Sequence, residues 1–248
     1  MGSLSVQAQL QEKYDDYYST EELDHWRRIG ALGKTDNIIR LCQAYTHNRI
    51  IEIGCGDGAI LERLDQLSFG EKLYGLEISP SGLEALHRKE IKSLIEAKLF
   101  DGYTIPYPNN HFDLAVLSHV IEHVEYPRKL LYEAARVARY LFVEVPLEHT
   151  LRLSRDYTYN DVGHINFYTA KTIRRLVQTC DLDVLDQIVT DTSREMVEHL
   201  HGRKGTLRHV LRRIALRVGP ALAQRLFVYH SALVCRSPGD ESTTRVSS

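Results

Sequence analysis

Little in this 248-residue chain suggests crosslinking or a membrane. Its four cysteines, Cys42, Cys55, Cys180 and Cys235, are scattered without paired spacing. Neither a disulfide framework nor a zinc site is suggested by that spacing, which favours a reducing cytoplasm. No apolar run is long enough to cross a bilayer, and residues 1–6 lack the hydrophobic core of a signal peptide. Val6 stands where a myristoylation pattern requires Ser or Thr. Charge of one sign is also missing: the net value is -2, which gives no global pull toward nucleic acid. The expectation is a soluble, cytoplasmic protein, and 43% hydrophobic residues are enough for one full core with local elaborations.

What is present begins at residues 49–58, RIIEIGCGDG, a β-branched strand that breaks into three alternating glycines. A strand ending in glycines turns sharply and brings backbone N–H groups against a ligand with no Cβ between them. A helix follows from near Asp57, with Ile60, Leu61 and Leu64 on one stripe. Residues 72–77, KLYGLE, then form a second strand closed by Glu77, a carboxylate placed to accept from both hydroxyls of a ribose. Gly54, Gly56 and Ala59 also satisfy the looser dehydrogenase fingerprint, so this region alone leaves a nicotinamide dinucleotide and an adenosyl group both open.

The next strands discriminate. Residues 99–102, LFDG, end a third apolar stretch on Asp101, and a Pro-rich loop at residues 104–110 leads into a fourth strand at residues 112–117. With EIGCGDG (52–58), GLEIS (75–79), FDG (100–102), IPYPNNHFDLAVLSHVIEHV (105–124) and FVEVP (142–146) in that order, the sequence resembles the class I S-adenosylmethionine-dependent methyltransferase family of the small-molecule type. The resemblance covers residues 49–146. It implies a Rossmann-like, seven-stranded, mostly parallel α/β sheet with helices on both faces and a C-terminal antiparallel hairpin.

The resemblance also implies roles. Gly54, Gly56 and Gly58 would lie beneath the methionine and ribose portions of S-adenosyl-L-methionine, with Glu52 near its amino-acid end. Glu77 would hold the ribose diol, Ile78 would pack on the adenine, and Asp101, with Gly102 in the same turn, would accept from the adenine amine. Leu117 and Ser118 would line the methionine moiety. The alternative roles for Glu77 and Asp101 are solvated strand ends.

Two further constellations carry chemistry. Residues 119–123, HVIEH, match an inverted zincin pattern, and on a helix His119 and His123 would share a face. The motif directly follows the fourth strand and no third ligand is apparent, so no metal is expected. His119 would instead face the sulfonium and touch the acceptor, or else be a plain helix-start residue, while Glu122 and His123 bond backbone. Residues 163–168, GHINFY, sit in a long loop where related enzymes place acceptor contacts. There His164 serves either as a general base or as a pin for the loop.

The remaining organisation is an N-terminal helical cap at residues 1–48, a methyltransferase domain at residues 49–238, and a disordered tail at residues 239–248. The cap contains two helices, at about residues 21–29 and 36–45, and Tyr14, Tyr17 and Tyr18 precede them as a substrate lid or a half-ordered tail. The last two strands fall at about residues 182–189 and 226–234, with a basic helical insertion at about residues 195–225 between them. No acid occurs from His199 to Gly239, and Leu207, Val210, Leu211, Ile214 and Val218 share one helical face flanked by Arg208, Arg212, Arg213 and Arg217. Such a helix suits a lid, a membrane surface or an acidic partner such as a carrier protein, or it packs on the sheet in the ordinary way.

The expectation is methyl transfer to a small-molecule acceptor, oxygen first, the acceptor anionic or lipid-linked. Ser118-His119-Val120-Ile121 replaces the Asn-Pro-Pro-Tyr or Asp-Pro-Pro-Tyr phrase of enzymes that methylate DNA bases or protein glutamine. The competing readings are an RNA methyltransferase, whose affinity would fall steeply with salt, an NAD-binding oxidoreductase, and a catalytically silent partner subunit.

Overall fold

The computed structural model describes Tyr18, residues 24–151, Leu153 and residues 163–238. In chain order it contains α1 (Asp24–Cys42), β1 (Arg49–Ile53), α2 (Ala59–Gln66), β2 (Lys72–Glu77), α3 (Pro80–His87), β3 (Leu94–Leu99), β4 (Phe112–Ser118) and α4 (Pro127–Val137). These are followed by β5 (Ala138–Pro146), α5 (Ala170–Gln178), β6 (Asp183–Thr190), α6 (Arg194–His201), α7 (Arg203–Val218), α8 (Pro220–Leu226) and β7 (His230–Arg236).

The strands form one seven-stranded sheet in the order β3-β2-β1-β4-β5-β7-β6. All neighbours are parallel except β7, which runs antiparallel to both β5 and β6. Strand alternation feeds a core on each face. In β4, Leu114 and Val116 join Ile50, Leu73 and Phe142 on one side, while Ala115 and Leu117 join Ile51, Ile53, Leu141 and Val143 on the other. Period-two side chains with apolar residues at both parities are what a sheet covered on both faces requires. The chain reverses its direction of winding between β1 and β4, so the carboxyl ends of β1, β2 and β4 open a crevice at a topological switch point.

Local signals set the helix starts. Ser79 caps α3 by accepting from the Gly82 N–H at 3.1 Å, with Pro80 in the first turn. Thr169 and Thr172 close a reciprocal capping box on α5. Pro127 opens α4.

Two expectations need correction, and two open questions are decided. The two N-terminal helices are one 19-residue helix, α1, because Gly30 and Gly33 lie inside it, where the absence of a side chain lets Met196 and Ser193 approach. The last strand starts at His230 rather than near residue 226, since Pro220–Leu226 completes a helix first. HVIEH is not helical: His119 adopts a left-handed conformation with φ 59°, and residues 121–123 form a turn.

The second of these questions concerns α7. Its apolar stripe does not pack on the sheet but faces solvent, with Leu207 63% and Val218 83% exposed and Val210, Leu211 and Ile214 also open. The inward side carries Gly205, His209 and Arg212, all buried. Among the described residues, no helix is long and apolar enough to cross a membrane. Tyr14, Tyr17 and the residue 239–248 tail lie outside the described residues.

Candidate functional site

The glycine turn after β1 forms the floor of the crevice. Gly54 has φ +74°, and a Cβ there would meet Val120 Cγ2 at 2.8 Å. Gly56 has φ +52°, and a Cβ there would lie 2.3 Å from the Tyr18 hydroxyl. Both positions demand glycine on conformational and steric grounds. Gly58 is the left-handed N-cap of α2, over Leu86.

Two cavities meet over this floor. The larger, about 550 Å³, is lined by Glu52, Gly54, Lys34, Ser118, His119 and His230 among others. The smaller, about 70 Å³, is lined by Gly54, Glu77, Ile78, Gly102, His119 and His123 among others, and Tyr18 borders both. So Tyr18 covers the junction of the two spaces, stacked beneath the Arg27 guanidinium at 5.5 Å.

The carboxylates divide into tied and untied groups. Glu77, buried at the end of β2, accepts from the N–H groups of Gly56 at 2.7 Å, Ile78 at 2.9 Å and Ser79 at 3.0 Å. It thereby clamps the glycine turn to the second strand. Asp57 is held by Arg27 at 2.9 Å and Lys89 at 3.3 Å. Glu52 differs: burial pushes its carboxyl well above the usual range, and its Oε2 has no hydrogen-bond partner although it borders the larger cavity. An acceptor left bare in this way costs desolvation energy until a donor arrives.

Asp101 accepts from the Tyr103 and Thr104 N–H groups at 2.8 and 2.6 Å. Burial opposes its charge, but these backbone bonds prevail and hold its carboxyl below the usual value. Its neighbours Phe100 and Gly102, not Asp101 itself, line the smaller cavity. Leu117 is fully buried in the core and lines neither cavity, whereas Ser118 lines the larger one and donates to Glu144 at 3.1 Å.

The two histidine candidates separate. His119 borders both cavities, and its Nε2 is buried without a hydrogen-bond partner. Burial first, then the nearby Lys34 charge, drives its pKa well below the usual value, so the imidazole is neutral. His164 lines neither cavity. It is buried against His123, ring to ring at 4.6 Å, with Nδ1 on Glu148 Oε2 at 2.5 Å. The GHINFY loop is pinned here: Ile165 and Asn166 N–H groups donate to the Glu122 carbonyl, and the Asn166 side chain donates to the Ile121 and Val124 carbonyls.

Sequence reasoning missed Lys34, Asn37, Glu148, Asp191 and His230, all of which line the larger cavity. Only Glu148 had a readable signal, an acid two residues past the end of β5. Asn37 reaches Glu144 at 2.9 Å from α1, and burial pushes the Glu144 carboxyl up to about 7.

Comparison with known proteins agrees with this geometry. A family model described as a methyltransferase domain matches residues 23–187. A mitochondrial ubiquinone biosynthesis O-methyltransferase of Candida albicans is 32% identical over 92 residues, covering 35% of this chain and 28% of that protein. An ajmaline N-methyltransferase of Rauvolfia serpentina is 27% identical over 107 residues, covering 42% of this chain and 36% of that protein. The chain thus aligns with well under half of the length of these curated relatives. Among solved structures, a methyltransferase of Thermotoga maritima superposes with a TM-score of 0.60 at 16% identity, covering 92% of this chain and 99% of that one. At that identity the match speaks for the fold.

Proposed function

The chain belongs to the class I S-adenosylmethionine-dependent methyltransferase family, and on that premise we propose that it methylates an oxygen atom of a small-molecule acceptor with an apolar, lipid-like portion. The residues present fit S-adenosylmethionine. The Glu52 Oε2 without a partner offers the cofactor's ammonium group an acceptor, and Gly54, which borders both cavities, gives its chain a floor without a side chain. Once bound, the cofactor supplies a methyl group on a sulfonium. Glu77 holds the glycine turn in place, Ile78 and Gly102 border the space for the base, and Tyr18 covers the junction and excludes water.

His119 carries the oxygen reading. It lies just beyond the end of β4 and borders both cavities, and its buried Nε2 has no hydrogen-bond partner, an open acceptor for a hydroxyl proton. Alignment and exclusion of water do the rest. The O-methyltransferase name of the fungal relative supports oxygen. The lipid-like portion rests on the outward apolar stripe of α7, continued by Leu222 and Leu226 of α8 and by Val228, which is itself on the cavity wall. Arg208, Arg213 and Arg217 flank that stripe, as suits an anionic membrane or carrier surface.

Incubation with labelled S-adenosylmethionine and separated metabolite, lipid and RNA pools tests the reading. Label on a hydroxyl of a metabolite or lipid is expected. Label confined to RNA, or to nitrogen, overturns it.

A further inference from the structure

The turn after β4 and the GHINFY loop, over 40 residues apart in the chain, bring three metal-binding side chains to one buried point. One ligand atom from each of Glu122, His123 and His164 lies within 4.8 Å of the others. Glu122 is fully buried, and neither of its carboxylate oxygens has a hydrogen-bond partner, although His119 Nδ1 stands 3.3 Å from Oε1. This set is not the His119 and His123 pair of HVIEH: His119 lies outside it, and His164 joins Glu122 and His123 through tertiary structure.

We propose that Glu122, His123 and His164 form a divalent-cation site of the zinc or manganese class beside the cofactor cleft, with open positions for an oxygen of the methyl acceptor. This rests on the reading above for its ligand, but the site itself stands on its own geometry.

Three observations favour a cation over a plain cluster. Two histidines and one carboxylate are the donor set of open catalytic sites, which keep coordination positions for substrate or water. The orientation of each ring is fixed from behind. His123 Nδ1 lies 3.3 Å from the Gly163 carbonyl and His164 Nδ1 lies 2.5 Å from the Glu148 carboxylate. A carbonyl oxygen only accepts, and a carboxylate oxygen in contact with a ring nitrogen accepts likewise, so Nδ1 donates in both rings and Nε2 is the nitrogen that carries the lone pair. The spacing is also near coordination: His123 Nε2 stands 4.0 Å from Glu122 Oε1, and no pair of ligand atoms is more than 4.8 Å apart. Ligand atoms about 2.1 Å from a tetrahedral ion lie about 3.4 Å apart, so side-chain shifts of about 1.4 Å or less bring each pair to that distance.

A second trio, His119, Glu144 and His230, meets the same distance criterion, but there the carboxylate is already satisfied by Asn37 and Ser118. The unsatisfied Glu122 singles out the first trio. Of the three ligands only His123 borders a cavity, the smaller one, while Glu148 behind His164 borders the larger, so the site lies in the wall behind the cleft with His123 as its opening.

The test is direct metal binding to the full chain. After chelation and desalting, the protein is titrated with Zn²⁺, Mn²⁺ and Co²⁺. Metal content is read after gel filtration, and the visible bands of Co²⁺ report coordination. One equivalent per chain is expected for the wild type and for His111→Ala. Uptake is lost in Glu122→Gln and His164→Ala, and affinity falls about 10- to 100-fold in Glu148→Gln. Thermal melts and S-adenosylhomocysteine calorimetry on the same variants show that fold and cofactor site survive. Absence of stoichiometric metal in the wild type, or uptake unchanged in both ligand variants, overturns the site. Metal bound without methyl transfer overturns the proposed function and leaves the site standing. Methyl transfer by a protein that takes up no metal does the reverse.

Discussion

Arg212 of α7 donates from Nε to both carboxylate oxygens of Asp191, at 2.8 and 3.0 Å, and both side chains are about nine-tenths or more buried. The same guanidinium reaches the Val228 carbonyl and lies over the rings of Phe227 and Tyr229. Asp191 and Val228 both line the larger cavity, so an arginine that the sequence placed on a solvated basic flank instead fastens the insertion to the cleft wall. Removing one partner of a buried pair leaves a bare charge, so Arg212→Met should cost about 3–5 kcal/mol in urea unfolding. A loss under about 1 kcal/mol would show that the pair is solvated.

Glu77→Ala strips three backbone N–H groups of their acceptor, each worth about 1–3 kcal/mol when buried. Calorimetry with S-adenosylhomocysteine should lose at least about tenfold in affinity, since each decade needs only about 1.4 kcal/mol. Affinity equal to wild type would separate the clamp from the ligand.

Gly56→Ala places a methyl group at φ +52° against the Tyr18 hydroxyl. The backbone strain alone is about 1–2 kcal/mol. Trp26, the sole tryptophan, borders the larger cavity and serves as the reporter. Its fluorescence titration with S-adenosylhomocysteine should shift about tenfold or more to higher concentration. An unshifted curve would mean that the turn relaxes without cost.

Glu144 sets a pH dependence. Burial raises its pKa to about 7, above the ordinary carboxylate value of 4.5, so the folded state holds this proton more tightly than the unfolded chain. The stability linked to that proton is complete below about pH 4.5 and is lost as pH rises through about 7. Glu144→Gln, which keeps an acceptor for Asn37 and a partner for Ser118, escapes that loss. Its stability relative to wild type should therefore rise between pH 4.5 and 8, on the order of 3 kcal/mol. A difference that stays flat across that range would place the titration elsewhere.

Ile214→Glu alters a side chain that is half exposed, so unfolding free energy should stay within about 0.5 kcal/mol of wild type. Methyl transfer to a lipid-linked acceptor presented in anionic vesicles should fall several-fold, by loss of apolar contact and by repulsion. Equal rates for both proteins would remove the α7 face from acceptor delivery.

Much of the fold was legible because its signals are local. Alternating apolar strands, prolines at helix starts and the glycine turn between β1 and α2 each depend on residues a few positions apart. Gly54, Glu77, Ile78 and Gly102 line the crevice, since strand ends in this topology converge on the switch point, whereas Gly56 lies beneath Tyr18 and lines neither cavity. Leu117 does not line it either, because parity along β4 sends its side chain into the core while Ser118 faces the cleft. The sequence left open which side of α7 turns inward, because an amphipathic pattern does not say what its apolar side meets. Here the buried pair with Asp191 and the close contact of Gly205 with the Val197 carbonyl hold the opposite side inward.

The chain order of glycines, acids and apolar strands by itself determined a doubly covered sheet with a crevice at its strand ends, since short-range stereochemistry and strand parity admit few other arrangements, and the resemblance of its motifs to a family pointed to an adenosyl ligand there. Only the tertiary structure decided which groups meet around that crevice. His164 joins Glu122 and His123, and Arg212 finds Asp191, through the docking of loops and helices separated by some 20 to 40 residues, and such contacts leave no periodic trace in the sequence.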